Sequence, residues 1–196
     1  KKKDDLLDKQ KLELLSKYQS HLLSWNKTHN LVSKSQEQHI AEHIEECLFI
    51  SPDLSETVVD LGSGGGLPGI PLAITNPDKT FFLVESNTKK SAFLLNATSR
   101  LDLANTNVLN QRIEDVDRSL FPNSFDVVCR AVGSAELVVN LVSQFLTDQD
   151  VRLKLMKTEE QFKKEILPPG FRVKKINKFP PKAKDKTRIL VTIESD

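Results

Sequence analysis

The segment from Val58 to Gly69 joins a short apolar strand to a helix through a turn that is rich in glycine. Three glycines at alternate positions, Gly62, Gly64 and Gly66, let the backbone take positive φ angles and leave room for a ligand to approach the main chain. Pro68 suits the first turn of the helix, where its missing N–H would have no partner. This strand, turn and helix predict an α/β fold with a ligand site where the strand ends.

An acid at the end of the next predicted strand narrows the choice of ligand. Glu85 closes a predicted strand over 80–85, and Asp60 precedes the glycine turn. The dinucleotide-binding pattern would place glycine at position 67, where this chain has Leu67. The arrangement favours S-adenosylmethionine (SAM) over NAD as the cofactor. The alternative is a structural turn that binds nothing, with Glu85 as a surface acid.

Bulk properties describe an ordinary globular chain. Its 196 residues suffice for one domain with a small appendage, and 38% hydrophobic with 28% charged residues is usual for a soluble protein. No apolar run of about 20 residues and no apolar signal segment is visible, so we expect no membrane partner. Cys47 and Cys129 follow no metal spacing and form no disulfide framework, so we predict no metal and a cytoplasmic location.

Charge is distributed unevenly along the chain. Seven acids and no Lys or Arg occur from Gln36 to Asp60, whereas eight bases and one acid occur from Arg172 to Arg188. The basic segment includes Lys182 and Lys184. Phosphate binding depends on such local positive charge. A solvated hairpin loop explains the pattern as well as nucleic-acid contact does.

Periodicity predicts strands alternating with helices after an N-terminal helical part. Apolar spacing indicates helices over 6–25 and 36–50, separated by an irregular segment from Trp25 to Ser33. The remaining predicted elements are strands at 57–61, 80–85, 106–110, 125–130, 151–156, 171–179 and 187–193, and helices at 68–75, 88–101, 135–146 and 158–167.

These elements predict the class I methyltransferase fold, a Rossmann-like α/β architecture. It has a mainly parallel seven-stranded sheet, helices on both faces and a C-terminal antiparallel hairpin. We divide the chain into an N-terminal helical extension, 1–50, and a SAM-dependent methyltransferase domain, 51–196.

Motifs along nearly the whole chain resemble one family. They are Trp25-Asn26-Lys27-x-x-Asn30-Leu31-x-Ser33, His43-Ile44-x-Glu46, Asp60 to Leu72, Glu85-Ser86-x-x-Lys89-Lys90-x-x-Phe93-Leu94, Arg112-Ile113-Glu114, Arg130-Ala131 and the strand that begins at Arg188. In this order they closely resemble the RsmG (GidB) family. Two pairs depart from the family pattern, Glu46-Cys47 and Lys157-Thr158.

The resemblance implies transfer of a methyl group from SAM to N7 of a guanine in the decoding-region loop of 16S ribosomal RNA. The partner would be 16S rRNA, the small ribosomal subunit or an assembly particle, and the protein would be a monomer. Three alternatives remain, which are a methyltransferase for a protein, one for a small molecule, and a non-catalytic ribosome-assembly or RNA-binding module.

Cofactor-binding roles are predicted for residues at the ends of the first three strands, and for Arg130 at the end of the fourth. Gly62, Gly64 and Gly66 would line the methionine and ribose with Leu67 nearby, and Glu85 would accept hydrogen bonds from both ribose hydroxyls. By resemblance, Ile113 and Glu114 lie beside the adenine; Glu114 as an acid that favours a helix start is the alternative.

Catalytic roles are predicted for Arg130, Lys157 and Asn30. By resemblance, Arg130 faces both cofactor and base, and a salt bridge to Asp126 or Glu114 is its structural alternative. Lys157 would touch RNA phosphate or the target base. Asn30 and Glu46 are candidate acceptors for the guanine edge, whereas His43 is expected to make a structural hydrogen bond.

Overall fold

Seven strands form one sheet in the computed structural model, which describes residues 8–180 and 186–196. The strands are β1 (Thr57–Leu61), β2 (Thr80–Val84), β3 (Thr106–Leu109), β4 (Ser124–Arg130), β5 (Asp150–Thr158), β6 (Phe171–Lys178) and β7 (Arg188–Ser195). Their order is β3-β2-β1-β4-β5-β7-β6. β1 to β5 are parallel, and β7 pairs antiparallel with both β5 and β6. The predicted class I methyltransferase fold is confirmed.

Helices cover both faces of this sheet. They are α1 (Lys9–His29), α2 (Lys34–Glu37), α3 (Ile40–Phe49), α4 (Gly69–Thr75), α5 (Thr88–Arg100), α6 (Ala135–Leu141) and α7 (Glu159–Phe162). Asn87 and Ser134 cap α5 and α6, because their side-chain oxygens accept from the first-turn N–H groups of Lys90 and Leu137. Within the described residues, no helix has the length and apolar content needed to cross a membrane.

Two apolar clusters lie on opposite faces of the sheet. The first joins α1, α3, α4 and α5 through side chains such as Tyr18, Ile44 and Phe93, and it also includes Val128 of β4. The second includes Val138 of α6 and lies on the other face. Because successive strand residues point to opposite faces, the buried strands read as nearly continuous apolar runs. The N-terminal helices therefore share one core with the sheet.

Three predicted elements were wrong in detail. The segment predicted as irregular after Trp25 continues as α1 to His29, and Asn30 ends the helix with a left-handed φ of 48°. The single helix predicted over 36–50 is split into α2 and α3. The helix predicted over 158–167 ends at Phe162; beyond it, the Glu165 side chain accepts from the N–H of Ala135 and from Lys157.

Two other predictions are affected in part. The helix predicted over 135–146 ends at Leu141 and is followed by a 3₁₀ turn, Ser143–Phe145. Positions 6 and 7 of the first predicted helix, and Lys182 and Lys184 of the basic segment, lie outside the described residues.

Candidate active site at the carboxyl ends of the strands

The glycine turn folds across the ends of β1 and β2. Gly62, Gly64 and Gly66 have φ angles of 69°, 56° and 89°, as the alternate spacing predicted. The N–H groups of Gly62 and Ser63 both donate to the carbonyl of Val84, which ties the turn to β2. A Cβ added to Gly64 would meet no heavy atom closer than 3.8 Å. The turn thus presents an open backbone surface at the sheet edge.

Glu85 lies beside this turn and is not a surface acid. Its side chain is buried, and its two carboxylate oxygens accept from the backbone N–H groups of Gly64 at 2.9 Å and Asn87 at 2.8 Å. A carboxylate has about four lone-pair sites, so each oxygen can accept a further hydrogen bond. Glu85 is therefore positioned to accept from two neighbouring hydroxyl groups while it holds the turn.

Ile113 and Glu114 begin a 3₁₀ turn after β3. Ile113 is buried, Glu114 is exposed, and the carbonyls of both accept from the side-chain amide of Gln144. Leu67 belongs to the first core cluster. The structure thus brings the predicted adenine-side residues to the same sheet edge as the glycine turn, with Leu67 packed in the core.

Tyr18 links helix α1 to the glycine turn, a contact that the sequence did not reveal. Its hydroxyl donates to the carbonyl of Gly65 at 2.6 Å, and the ring is fully buried. A Cβ on Gly65 would come within 3.1 Å of both Leu22 and Val32. The N-terminal helix thus packs directly under the predicted cofactor turn.

Replacing Tyr18 with phenylalanine should lower the free energy of unfolding by about 1–3 kcal/mol, because the buried Gly65 carbonyl loses its donor. Urea unfolding followed by circular dichroism measures the change. Thr28→Val, which removes an exposed hydroxyl from the same helix, serves as the matched control. Equal stabilities of the Tyr18 and Thr28 variants would contradict the role of this bond.

Asp60 is a fully buried carboxyl group at the end of β1. Its Oδ2 accepts from the N–H of Gly69 at 3.0 Å, and its Oδ1 has no hydrogen-bond partner among the described residues. Burial raises the pKa of Asp60 to about 7. The nearby Ser63 hydroxyl, which donates to the backbone carbonyl of Asp60, and the hydrogen bond from the Gly69 N–H oppose this rise, and the charge of Glu85 adds to it.

This pKa predicts a pH-dependent stability. Between about pH 4 and about pH 7 the folded protein keeps a proton that the unfolded chain releases, so this carboxyl makes the free energy of unfolding fall as pH rises. The loss should be on the order of 2–4 kcal/mol and should end above about pH 7. Asp60→Asn cannot titrate, so the difference between the two proteins isolates this residue. Urea unfolding at several pH values measures it; parallel pH profiles would contradict the assignment.

Arg130 ends β4 and lies half-buried in the wall of a cavity. Burial lowers the pKa of its guanidinium below the ordinary value, against the effect of Cys47 and Glu46. Within residues 8–180 and 186–196 it forms no ion pair. The structural alternative, a salt bridge from Arg130 to Asp126 or Glu114, is wrong for the described residues: Arg152 and Ser55 bind the Asp126 carboxylate, and Arg130 forms no ion pair with Glu114. Arg130 thus presents a charge without a carboxylate partner.

The cavity beside Arg130 lies between α3 and the start of β7. Its volume is about 320 Å³. Its walls include His43, Glu46, Arg130, Thr158, Lys186 and Arg188. Arg188 Nε lies 3.3 Å from Glu46 Oε1, and His43 Nδ1 lies 3.6 Å from Glu46 Oε2. The cavity is therefore polar and carries both signs of charge.

Lys157 and Asn30 lie outside this cavity. Lys157 Nζ donates to the carbonyl of Gly133 and to Glu165, both at 2.6 Å, beside a separate cavity that Val132 also lines. Asn30 is exposed in another cavity, together with Lys27, Lys34 and Lys90. The structure does not bring these two predicted catalytic residues together with Arg130.

The basic hairpin is partly neutralised. Arg172 and Lys174 pair with Glu194, Lys178 pairs with Glu159, and Lys186 pairs with Glu160. These are exposed ion pairs, which contribute little to stability and exchange easily with other partners. Nucleic-acid contact by this segment stays a prediction.

Comparisons with known proteins agree with this architecture. The sequence profile described as GidB, rRNA small subunit methyltransferase G, matches residues 11–180. A protein named ribosomal RNA small subunit methyltransferase G from Dichelobacter nodosus is 38% identical over 152 residues, which are 76% of this chain and 71% of that protein. Its namesake from Xanthomonas campestris pv. campestris is 34% identical over 185 residues, 93% of this chain and 86% of that protein.

Solved structures support the fold. The crystal structure of M. jannaschii TYW2 in complex with AdoMet superposes with a TM-score of 0.53 at 18% identity, covering 79% of this chain and 76% of that one. At this identity the likeness concerns the fold alone. The matched profile spans most of the chain and includes the glycine turn, Glu85 and Arg130. The chain belongs to the GidB family, rRNA small subunit methyltransferase G.

Proposed function

We propose that this protein transfers a methyl group from SAM to N7 of a guanine in the 16S rRNA decoding-region loop. The observation that carries the proposal is the open glycine turn with Glu85 fixed beside it, in a chain of this family. The relatives are named for small-subunit ribosomal RNA, and the TYW2 structure contains AdoMet. The names of the relatives support ribosomal RNA as the acceptor, and the bound AdoMet of the TYW2 structure supports SAM as the methyl donor.

The residues at the sheet edge suit the cofactor. Glu85 keeps lone pairs for the two ribose hydroxyls, and Gly64 leaves open space above the turn. Ile113 and Glu114, on the turn after β3, would lie beside the adenine. When bound, SAM supplies an electrophilic methyl group on a sulfonium centre.

The protein's task in this reaction is to position the acceptor. Guanine N7 carries a lone pair and no proton, so no general base has to remove one before transfer. Holding the base in line and excluding water are effects able to supply roughly 7–11 kcal/mol. The cavity beside Arg130 provides a polar, partly open recess for such a base. Its walls come partly from α3 in the N-terminal extension.

Positive charge along the surface would guide the RNA backbone. Lys27, Lys34 and Lys90 line the neighbouring cavity that also contains Asn30. Single-stranded loops with an unstacked base are the usual targets of sequence-specific RNA recognition. We propose that Asn30 and Lys157, each in its own cavity apart from the one beside Arg130, contact RNA rather than the reacting base.

The test is transfer from methyl-labelled SAM to 16S rRNA, to small-subunit particles lacking the modification, and to a transcript in which 7-deazaguanosine replaces guanosine. We expect label in at least one guanosine-containing form and none in the 7-deaza transcript, where carbon replaces N7. Label in the 7-deaza transcript would refute N7 as the acceptor. SAM binding without transfer to any RNA would favour a protein or small-molecule acceptor, or a non-catalytic module.

A further inference from the structure

The cavity between α3 and β7 has an unusual concentration of unsatisfied polar atoms. Glu46 Oε2, His43 Nδ1 and Arg188 Nε are all buried, and none makes a hydrogen bond among the described residues. Buried polar atoms nearly always have a partner in native proteins, so each exception asks for an explanation. Three such atoms around one carboxylate indicate a group that is completed by a polar ligand.

Distances within the group show why it stays incomplete. Arg188 Nε lies 3.3 Å from the Glu46 carboxylate, close enough for charge attraction, and His43 Nδ1 lies 3.6 Å from it; neither contact is a well-formed hydrogen bond. Glu46 itself is 8% exposed. The carboxylate is therefore held from both sides and keeps unused acceptor capacity, and Glu46 lines the cavity.

The charge state of Glu46 defines what it can accept. Burial acts to raise the pKa of its carboxyl, but His43, Arg188 and Arg130 together outweigh burial and hold the pKa below its ordinary value. Burial in turn lowers the pKa of His43, which stays neutral around pH 7. An ionised carboxylate accepts hydrogen bonds and donates none.

Guanine is the base whose pairing edge matches such an acceptor. Its N1–H and N2–H₂ groups are adjacent donors, whereas adenine has an acceptor at N1 and would face the carboxylate with a lone pair. The cavity, at about 320 Å³, lies at the lower end of the range of ligand pockets, ~300–1,000 Å³. Arg130 lines this cavity.

We propose that Glu46 is the residue that selects guanine, accepting hydrogen bonds from N1–H and N2–H₂ of the base turned into this cavity. His43 and Arg188 position its carboxylate. The inference rests on the proposed function and adds the recognition of the base. A purely structural Glu46, acting as the counterion of Arg188, is the competing account that the experiment must separate.

The experiment compares wild-type and Glu46→Gln enzymes, each on RNA with the target guanosine and on RNA with inosine at that position. Inosine lacks only the N2 amino group. The modified RNA is made by splint ligation in the RNA form that the wild-type enzyme methylates, and kcat/KM is measured for all four combinations. We expect the wild type to lose about 10- to 100-fold on inosine, since a hydrogen bond to a charged acceptor is removed. For the Glu46→Gln enzyme, replacing guanosine with inosine should lower kcat/KM by less than about threefold.

Controls separate recognition from folding. Thermal melting and SAM binding of Glu46→Gln should match the wild type, and Glu136→Gln, an exposed acid on α6, should keep the full inosine penalty. A guanosine-to-inosine ratio that is the same in wild type and Glu46→Gln would overturn the proposal. Equal kcat/KM of the wild-type enzyme on guanosine and inosine RNA would also overturn it, and this result does not depend on whether the variant folds. Absence of transfer from the wild type to guanosine RNA would instead show that the proposed function has failed.

Discussion

Replacing Glu85 with alanine should weaken SAM binding by about 100- to 1,000-fold. The carboxylate is expected to accept from both ribose hydroxyls, and each charge-assisted bond contributes about 1.5–3 kcal/mol. The variant also removes the acceptor of the Gly64 and Asn87 N–H groups, which loosens the glycine turn. Calorimetric titration with SAM measures the affinity.

The control for this variant is Glu56→Ala. Glu56 lies just before β1, at the amino ends of the parallel strands, and its side chain is 87% exposed. This variant should bind SAM as the wild type does. A Glu85→Ala protein that folds and binds SAM within about threefold of the wild type would contradict the assignment of the ribose site.

Replacing Arg130 with glutamine should lower kcat/KM for methyl transfer by about 10²- to 10³-fold, with a smaller effect on SAM affinity. Its guanidinium is half-buried and has no ion-pair partner among the described residues, so its charge is available to a ligand. Loss of a preorganised donor in a site of low dielectric has effects of this size. Steady-state transfer and SAM titration are measured on the same preparations.

Arg118→Gln is the matched control for Arg130. Arg118 is a partly exposed arginine after β3 that pairs with Asp148. Its variant should transfer methyl groups at the wild-type rate. If Arg130→Gln retained more than about one third of wild-type kcat/KM, Arg130 would not be a catalytic residue.

Local patterns predicted the geometry of the glycine turn and its neighbouring strands well. Short segments of sequence were enough to predict three features: the strand β1, the positive φ angles at Gly62, Gly64 and Gly66, and the acid after β2. Each depends on glycine geometry or on alternation within a few residues, and the sheet then brings strand ends together. The motifs shared with the family carried the functional prediction.

Contacts between distant segments were not predictable in the same way. Glu46 and Arg188 are more than 140 positions apart, and nothing near either residue signals their contact. Tyr18 has the spacing of an apolar residue on a helix face, and nothing in the local sequence indicates that its hydroxyl holds the glycine turn. Lys157 is predicted from sequence to touch RNA phosphate or the target base, and its pairing with Glu165 depends on how the chain leaves α7.

The measurement that tests the central claim most directly is the position of the methyl group in the RNA. After reaction with SAM, 16S rRNA is reduced with borohydride and cleaved with aniline, which breaks the chain at 7-methylguanosine, and the break is mapped by primer extension. We predict one new break, at a guanine in the decoding-region loop, which disappears with Glu85→Ala. Methylated RNA without such a break, or breaks scattered over many guanines, would contradict the account.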